Sequence, residues 1–387
     1  MVAEEKQQAP NLADLKRAIP SHCFEPTVAK SMGYLVRDIL CTLVLGYAAL
    51  HIHHFSSVHV RFALWALYSF AQGCIFTGLW IIAHECGHGA FSKHARLNDA
   101  VGWLVHSFLL VPYYSWKISH ARHHRFTGHV EKDLVFSPQT ATGLAAKLRV
   151  AVEQLDELAE DTPFVSAIKL LFHQLLGWQT YLLLNVSAGK ESQLRGQPNT
   201  YLQRASHFDP WSAIFLPSQA HLIIISDVGL ALTGTALYLA ATRLLHSWST
   251  VFLLYGLPYF WVHHWLIAIT YLHHTHPSVP HYADTNWSFT KGNLCTVDRD
   301  FGFIGRVFFH DIIDTHVVHH LFPKIPFYHA HEATRAIVPL LGDNYHEDKS
   351  ASFVGSLWTT FRHCNWVEET EKGVFHWAKK AGAMKRD

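Results

Sequence analysis

The chain has 387 residues, with 31 lysines and arginines against 30 aspartates and glutamates, a formal charge of +1. Only 16% of the residues are charged, against roughly 25% in soluble domains, and with no basic excess and no recognition motif, nucleic acid is excluded as a partner. The 32 histidines outnumber lysine and arginine together, and 13 tryptophans and 25 phenylalanines add lipid-compatible bulk, so the composition points to a membrane protein that holds metal.

Residues 1–32 are polar, carry Pro10, Pro20 and Pro26, and are expected to form a cytosolic tail with a short amphipathic piece and no cleavable signal segment. A span is predicted at about 33–55, with Arg37 and Asp38 snorkelling to the interface at its start. His51, His53, His54 and His59 mark a solvated interfacial turn. The run 60–83 is long enough to cross, since a span takes about 20 residues, and it delivers His84 back to the starting side. The apolar segment 101–116 is broken by His106 and Pro112. Only 31 residues separate His88 from His120, too few for two crossings, and one crossing would put their clusters on opposite faces. This segment is therefore expected to be re-entrant or interfacial. The same reasoning puts 164–187 at the surface, with Trp178 and Tyr181 at headgroup level.

Spans at about 220–241 and 251–272 form a second hairpin, so that the cap at 84–130 and 273–340 lies on one side. Lys93, Arg96, Lys117, Arg122, Arg125, Lys291 and Arg299 make that side the cytosol, and Lys379, Lys380, Lys385 and Arg386 close a polar, mixed C-terminal region. The expected fold class is an all-α integral membrane protein: four transmembrane helices in two hairpins, interfacial or re-entrant helices, and a cytosolic histidine-rich cap. The membrane domain covers 33–380, with a tail at 381–387. Cysteines 23, 41, 74, 86, 295 and 364 contain no C-x-x-C pair, which excludes a disulfide framework or a zinc finger and suits a reducing compartment.

Three histidine clusters carry the chemistry: His84/His88, His120/His123/His124 and His316/His319/His320. Residues at i, i+3 and i+4 of a helix share a face, so each cluster can present its imidazoles together. Eight histidines exceed what one zinc needs. A two-metal site with open positions fits better, and imidazole without thiolate permits iron, which can change oxidation state. A site at the end of apolar helices makes an acyl chain the natural substrate. His274 or His276, at the end of the last span, supplies one further ligand. Among Asp133, Asp298, Asp300, Asp311 and Asp314, some are expected to orient ligand rings. Cys86 is read as packing, and His106, His173, His246 and His363 as hydrogen-bonded core residues. A histidine-rich metal transporter would place polar groups inside the spans, and a haem-carrying electron-transfer protein would not need the paired clusters.

These clusters, in the pattern H-x-x-x-H, H-x-x-H-H, H-x-x-H-H, resemble the membrane-bound fatty acid desaturases, and the oleate Δ12 branch of plants and fungi above others. Ala18-Ile19-Pro20-Ser21-His22-Cys23-Phe24, Asn185-Val186-Ser187, His274-Thr275-His276-Pro277 and Thr296-Val297-Asp298-Arg299-Asp300-Phe301-Gly302 carry the same resemblance, which runs from about residue 14 into the C-terminal region. It implies two non-haem iron ions and an endoplasmic reticulum enzyme with its site facing the cytosol. It also implies an oleoyl phospholipid or oleoyl-CoA substrate, membrane lipid around the spans, and cytochrome b5 with its reductase as a separate electron donor; it leaves room for a homodimer. By analogy with animal acyl-CoA desaturases, His274 becomes the ninth histidine ligand. Gly89, Ala121 and His273 depart from the commonest pattern without removing a ligand. Relatives with the same boxes act as acetylenases, hydroxylases or conjugases, so the resemblance leaves the product open.

Overall fold

The structure is a computed structural model that describes residues 10–155, 157, 162–194, 205–349 and 352–378; the first nine residues, the terminal lysines and arginine, and the 381–387 tail lie outside them. Among the described residues, four helices are long and apolar enough to cross a membrane: Val28–His54, Val58–His88, Pro217–Leu244 and Trp248–His274. The second is the central one, with 78% of its most apolar window buried against 17% for the third. It packs on the first and fourth long helices and on the short helix Ala95–Phe108. The first and third turn Leu43, Val44, Leu232 and Tyr238 outward, the exposure expected of a lipid-facing surface.

Local chemistry sets the ends of the second helix. Ser57 Oγ accepts from Val60 N–H at its start, and Gly89 ends it at φ 75°, where Gly89 N–H and Ala90 N–H return to the carbonyls of Cys86 and Glu85. A left-handed residue closing a helix in this way is best served by glycine. The stop falls one residue after His88, so the last turn holds the first histidine pair. In the fourth long helix a π-turn at Phe252–Gly256 precedes Pro258, whose ring clashes with the carbonyl four residues back in a regular helix.

The segment 101–116 resolves into two helices of 14 residues, Ala95–Phe108 and Tyr113–Phe126, each too short to cross, since about 20 residues are needed. His106 at their corner is fully buried, with Nε2 3.2 Å from the Trp80 carbonyl oxygen. The helix Pro163–Leu184 packs against the fourth long helix and corrects the headgroup reading. Its Gln174, Trp178, Tyr181 and Leu182 face inward, spaced along one stripe, and Trp178 and Tyr181 are only 5% and 6% exposed. Aromatic packing overrides the interfacial preference: Trp178 meets Trp80 edge-on at 6.1 Å.

Asp38 does not snorkel either. It is buried, accepts from Arg37, and lies 2.9 Å from His310 Nε2, a partner 272 residues away that no local pattern reveals. His246 and His363 are exposed and are not core residues; His363 Nδ1 pairs with the Thr359 carbonyl oxygen in its own helix. His173 is half-buried. His51, His53, His54 and His59 are all exposed.

The chain is mostly helical but not all-α. His281–Tyr282, Val374–Trp377 and Val367–Glu371 form an antiparallel three-stranded sheet. Asp298–Arg299 pairs in parallel with Glu347–Asp348. These strands are of two to five residues, too short to leave an alternating pattern in the sequence. The N-terminal helix Leu12–Ala18 and the turn Ser21–Phe24 lie on the helix Phe327–Leu341, with Leu15, Ile19 and Cys23 buried among Val317, Leu321 and Ile337.

At Gly73 the second long helix packs tightly on the fourth: a carbon added there would strike the Trp261 side chain and lie 3.1 Å from the Pro258 carbonyl oxygen. Gly73→Ala is expected to lower the thermal midpoint of the detergent-solubilised protein, since overpacking costs about 1–3 kcal/mol. Gly46→Ala meets nothing within 4 Å and is expected to leave the midpoint unchanged or slightly raised. Paired melting curves check both.

Candidate metal centre

The three histidine clusters and His274 converge at one end of the long helices. His84 and His88 occupy the last turn of the second helix, His120, His123 and His124 the helix Tyr113–Phe126, and His316, His319 and His320 the helix His316–Leu321. Shared helix faces do not mean a shared group, however. Ligand atoms of His84, His88, His120, His124 and His319 lie within 4.8 Å of one another, and those of His123, His274 and His320 form a second such set. His316 joins the second, its Nε2 3.2 Å from His274 Nε2.

The split follows helix geometry. In each H-x-x-H-H cluster the i, i+4 pair turns to one group and the remaining histidine crosses to the other: His120 and His124 against His123, His316 and His320 against His319. The two groups touch through His124 and His320, stacked at 4.0 Å with planes 10° apart. Of the two candidates after the fourth helix, His274 is buried between His123 and His316. His276 Nδ1 instead pairs with Ser278 Oγ at 2.7 Å. His273 faces away, its ring nitrogens 2.5 and 3.0 Å from the carbonyl oxygens of Ile269 and Ile313.

The donor set fits cations. Nε2 atoms face each other at 3.2 Å between His84 and His88, 3.1 Å between His120 and His124, and 3.3 Å between His123 and His274. Two nitrogens at right angles around a metal are about 3 Å apart for bond lengths near 2.1 Å. His319 Nε2 and His320 Nε2 are buried with no hydrogen-bond partner among the described residues, a costly arrangement for a nitrogen with nothing to bind. Burial first, then the neighbouring imidazoles, holds His120, His124, His316 and His320 well below the ordinary histidine range. The rings are thus neutral at physiological pH, the form that binds metal.

Outer partners fix which nitrogen points inward. Asp133 Oδ1 accepts from His123 Nδ1 at 2.6 Å, leaving Nε2 as the free lone pair. Asn293 Oδ1 and Thr127 Oγ1 flank His320 Nδ1, each at 3.2 Å. Asp298 anchors the helix rather than a ring, accepting from Val317 N–H at 2.8 Å and from the Tyr345 hydroxyl at 2.8 Å. Asp300, Asp311 and Asp314 do not orient these rings: Asp300 binds Gly302 N–H and Arg306, and Asp311 faces His331 at 3.3 Å. Arg299, buried, donates to the carbonyl oxygens of Leu272 and Thr275 and to Asp348, which pins the helix end that carries His274. Cys86 is buried in the apolar core. Sequence reading had no signal for Asn293, or for the buried link in which Ser119 Oγ joins Tyr181 Oη at 3.1 Å and His207 Nε2 at 3.0 Å.

A cavity of about 200 Å³ opens onto both groups. His84 and His120 line it from the first, His123, His274 and His316 from the second; Ile81, Trp116, Trp178, Ile267 and Ile312 supply apolar wall. An apolar slot ending on paired histidine clusters suits an alkyl chain.

The sequence pattern that defines the fatty acid desaturase family matches residues 60–351. The chain belongs to that family. As a fatty acid desaturase family member it is a membrane oxidoreductase whose substrate is lipid. It is 45% identical over 370 residues to an oleate hydroxylase of Claviceps purpurea, covering 92% of this chain and 77% of that one. It is 42% identical over 371 residues to a Δ12 fatty acid desaturase of Mortierella isabellina, covering 94% and 90%. It is 41% identical over 374 residues to an endoplasmic reticulum omega-6 fatty acid desaturase of Glycine max, covering 96% and 92%.

Asp133→Asn keeps the shape and removes the carboxylate that orients His123. Outer-partner changes of this kind typically cost about 10–100-fold in metal affinity or activity, and a loss in that range is expected in metal retention, measured by chelator challenge of the purified protein.

Proposed function

We propose that the chain is a Δ12 acyl-lipid desaturase that places a cis double bond in oleoyl chains of membrane lipid to give linoleoyl chains. The observation that carries this reading is the apolar cavity that ends on both histidine groups; the Mortierella and Glycine relatives support it. His84, His88, His120, His124 and His319 would hold one iron ion, and His123, His274, His316 and His320 the other. Such a pair supplies the oxygen activation needed to take hydrogen from an unactivated C–H bond, which redox-inert zinc cannot.

The protein's own part is positional. Trp80, Trp116 and Trp178 wall the cavity beside His84 and His120, excluding water and fixing which methylenes lie against the histidine groups. Asp133 and Asn293 keep the ring nitrogens of His123 and His320 turned inward, and Arg299 holds the His274 turn in register. The membrane domain is proposed as 33–380, with four spans in two hairpins and the histidine cap on the cytosolic face of the endoplasmic reticulum. Electrons are proposed to come from a separate cytochrome b5.

A second reading, oleate hydroxylation, is favoured by one finding: the 45% identical Claviceps relative carries that name. Gas chromatography–mass spectrometry of fatty acids from yeast expressing the chain separates the two. A new Δ9,Δ12 diene is expected; a hydroxylated chain would change the reaction and keep the site, and no new fatty acid from well-expressed protein would sink both. His84→Ala, His123→Ala and His319→Ala are each expected to abolish product with the protein still membrane-inserted, and His53→Ala to leave it near wild type. Thr180→Phe, which puts a ring into the cavity lined by Thr180, is expected to cut product about a hundredfold with iron content unchanged, read by metal analysis beside the lipid profile.

A further inference from the structure

Away from the cavity, four donors of three chemical kinds meet where the N-terminal segment lies on a C-terminal helix. His22 and Cys23 are neighbours in the turn Ser21–Phe24, and His329 and Glu332 stand one turn apart on Phe327–Leu341. One ligand atom from each lies within 4.8 Å of the other three. His22 Nε2 is 2.9 Å from Glu332 Oε2 and 3.8 Å from Cys23 Sγ. The His329 ring meets the His22 ring edge-on with centroids 5.4 Å apart. Cys23 is buried, His329 and Glu332 half-buried, and His22 exposed.

We propose that His22, Cys23, His329 and Glu332 form a second metal site, a closed zinc site of the structural kind, distinct from the histidine groups at the cavity. Zinc takes nitrogen, oxygen and sulfur ligands in a tetrahedron with bonds of about 2.0–2.3 Å, whose edges are about 3.3–3.8 Å. The Nε2–Sγ separation is such an edge, and the His22–Glu332 pair reaches one by opening a few tenths of an ångström. The donor set narrows the ion to the borderline divalent metals, of which tetrahedral zinc is the structural one: a thiolate disfavours magnesium, calcium and manganese, and two imidazoles with a carboxylate disfavour the purely soft-ligand metals. Two donors from each of two elements, separated by 310 residues between His22 and Glu332, leave no position open for a reacting ligand.

The site would act as a staple. Leu15, Ile19 and Cys23 pack on Val317, Val318 and Leu321, residues of the helix that carries His316, His319 and His320, and Phe24 meets Phe322 edge-on at 5.9 Å. A cation joining 22–23 to 329–332 closes the N-terminal segment over the outer side of that helix and adds the free energy of zinc binding to its placement.

The test counts zinc and does not depend on which reaction the cavity serves. The full chain, purified in detergent on a histidine-free tag from cells supplied with zinc and iron, is analysed for both metals by mass spectrometry and for zinc by X-ray absorption. About one zinc per chain with a single sulfur neighbour is expected. Cys23→Ser and His329→Ala are each expected to lose that zinc while iron stays at the wild-type level. Iron-loaded wild-type protein without zinc would overturn the proposal, as would zinc with no sulfur neighbour or zinc undiminished in both variants. If a variant fails to fold, the sulfur count in the wild-type spectrum decides alone.

Discussion

Neutral imidazoles packed against one another out of water are the constraint that the rest of the molecule accommodates. An imidazole nitrogen buried without a partner is costly, and here many converge at 3.1–3.3 Å. Such an arrangement persists only where the surrounding structure holds each ring and something binds the lone pairs. The holding elements are visible: Asp133 behind His123, Asn293 behind His320, Asp298 at the start of the third histidine helix and Arg299 on the carbonyls that follow His274. These residues lie outside the histidine motifs, yet the second and third motifs and His274 depend on them for direction.

The second requirement is that three separate helices end at the same level. The second long helix does this by being the most buried of the four and by stopping at a left-handed glycine directly after His88. Small residues let its neighbours come close: Gly73 against Trp261, and Gly78, where an added carbon would lie 2.5 Å from the Phe308 carbonyl oxygen. Close backbone approach is how helices gain contact where lipid is as apolar as the side chains. The buried Asp38–His310 pair then joins the first long helix to the segment leading into the third histidine cluster.

Much of this was legible in the chain because it rests on short-range periodicity. Long apolar runs located the four helices, and the spacing of the histidines put each cluster on one helix face. Periodicity could not show how the clusters divide. His123 and His319, each at the i+3 position of its cluster, reach the opposite group from the i, i+4 pair beside them. Trp178 and Tyr181 were misplaced for a related reason. An amphipathic helix at a membrane edge and one packed on a core share a pattern, and only the presence of Trp80 distinguishes them. Asp38 looked like an interfacial charge because its partner lies in another part of the chain, and the C-terminal hairpin Val367–Glu371 with Val374–Trp377 is too short to leave a clear alternation.

The parallel pairing of Asp298–Arg299 with Glu347–Asp348 has a consequence for biosynthesis. Arg299 fastens the His274 turn and is itself held by Asp348, so the second histidine group has its full support only after nearly the whole chain has left the ribosome. The second histidine group is therefore completed by a segment made late in synthesis, although its own ligands His123 and His274 lie far earlier in the chain.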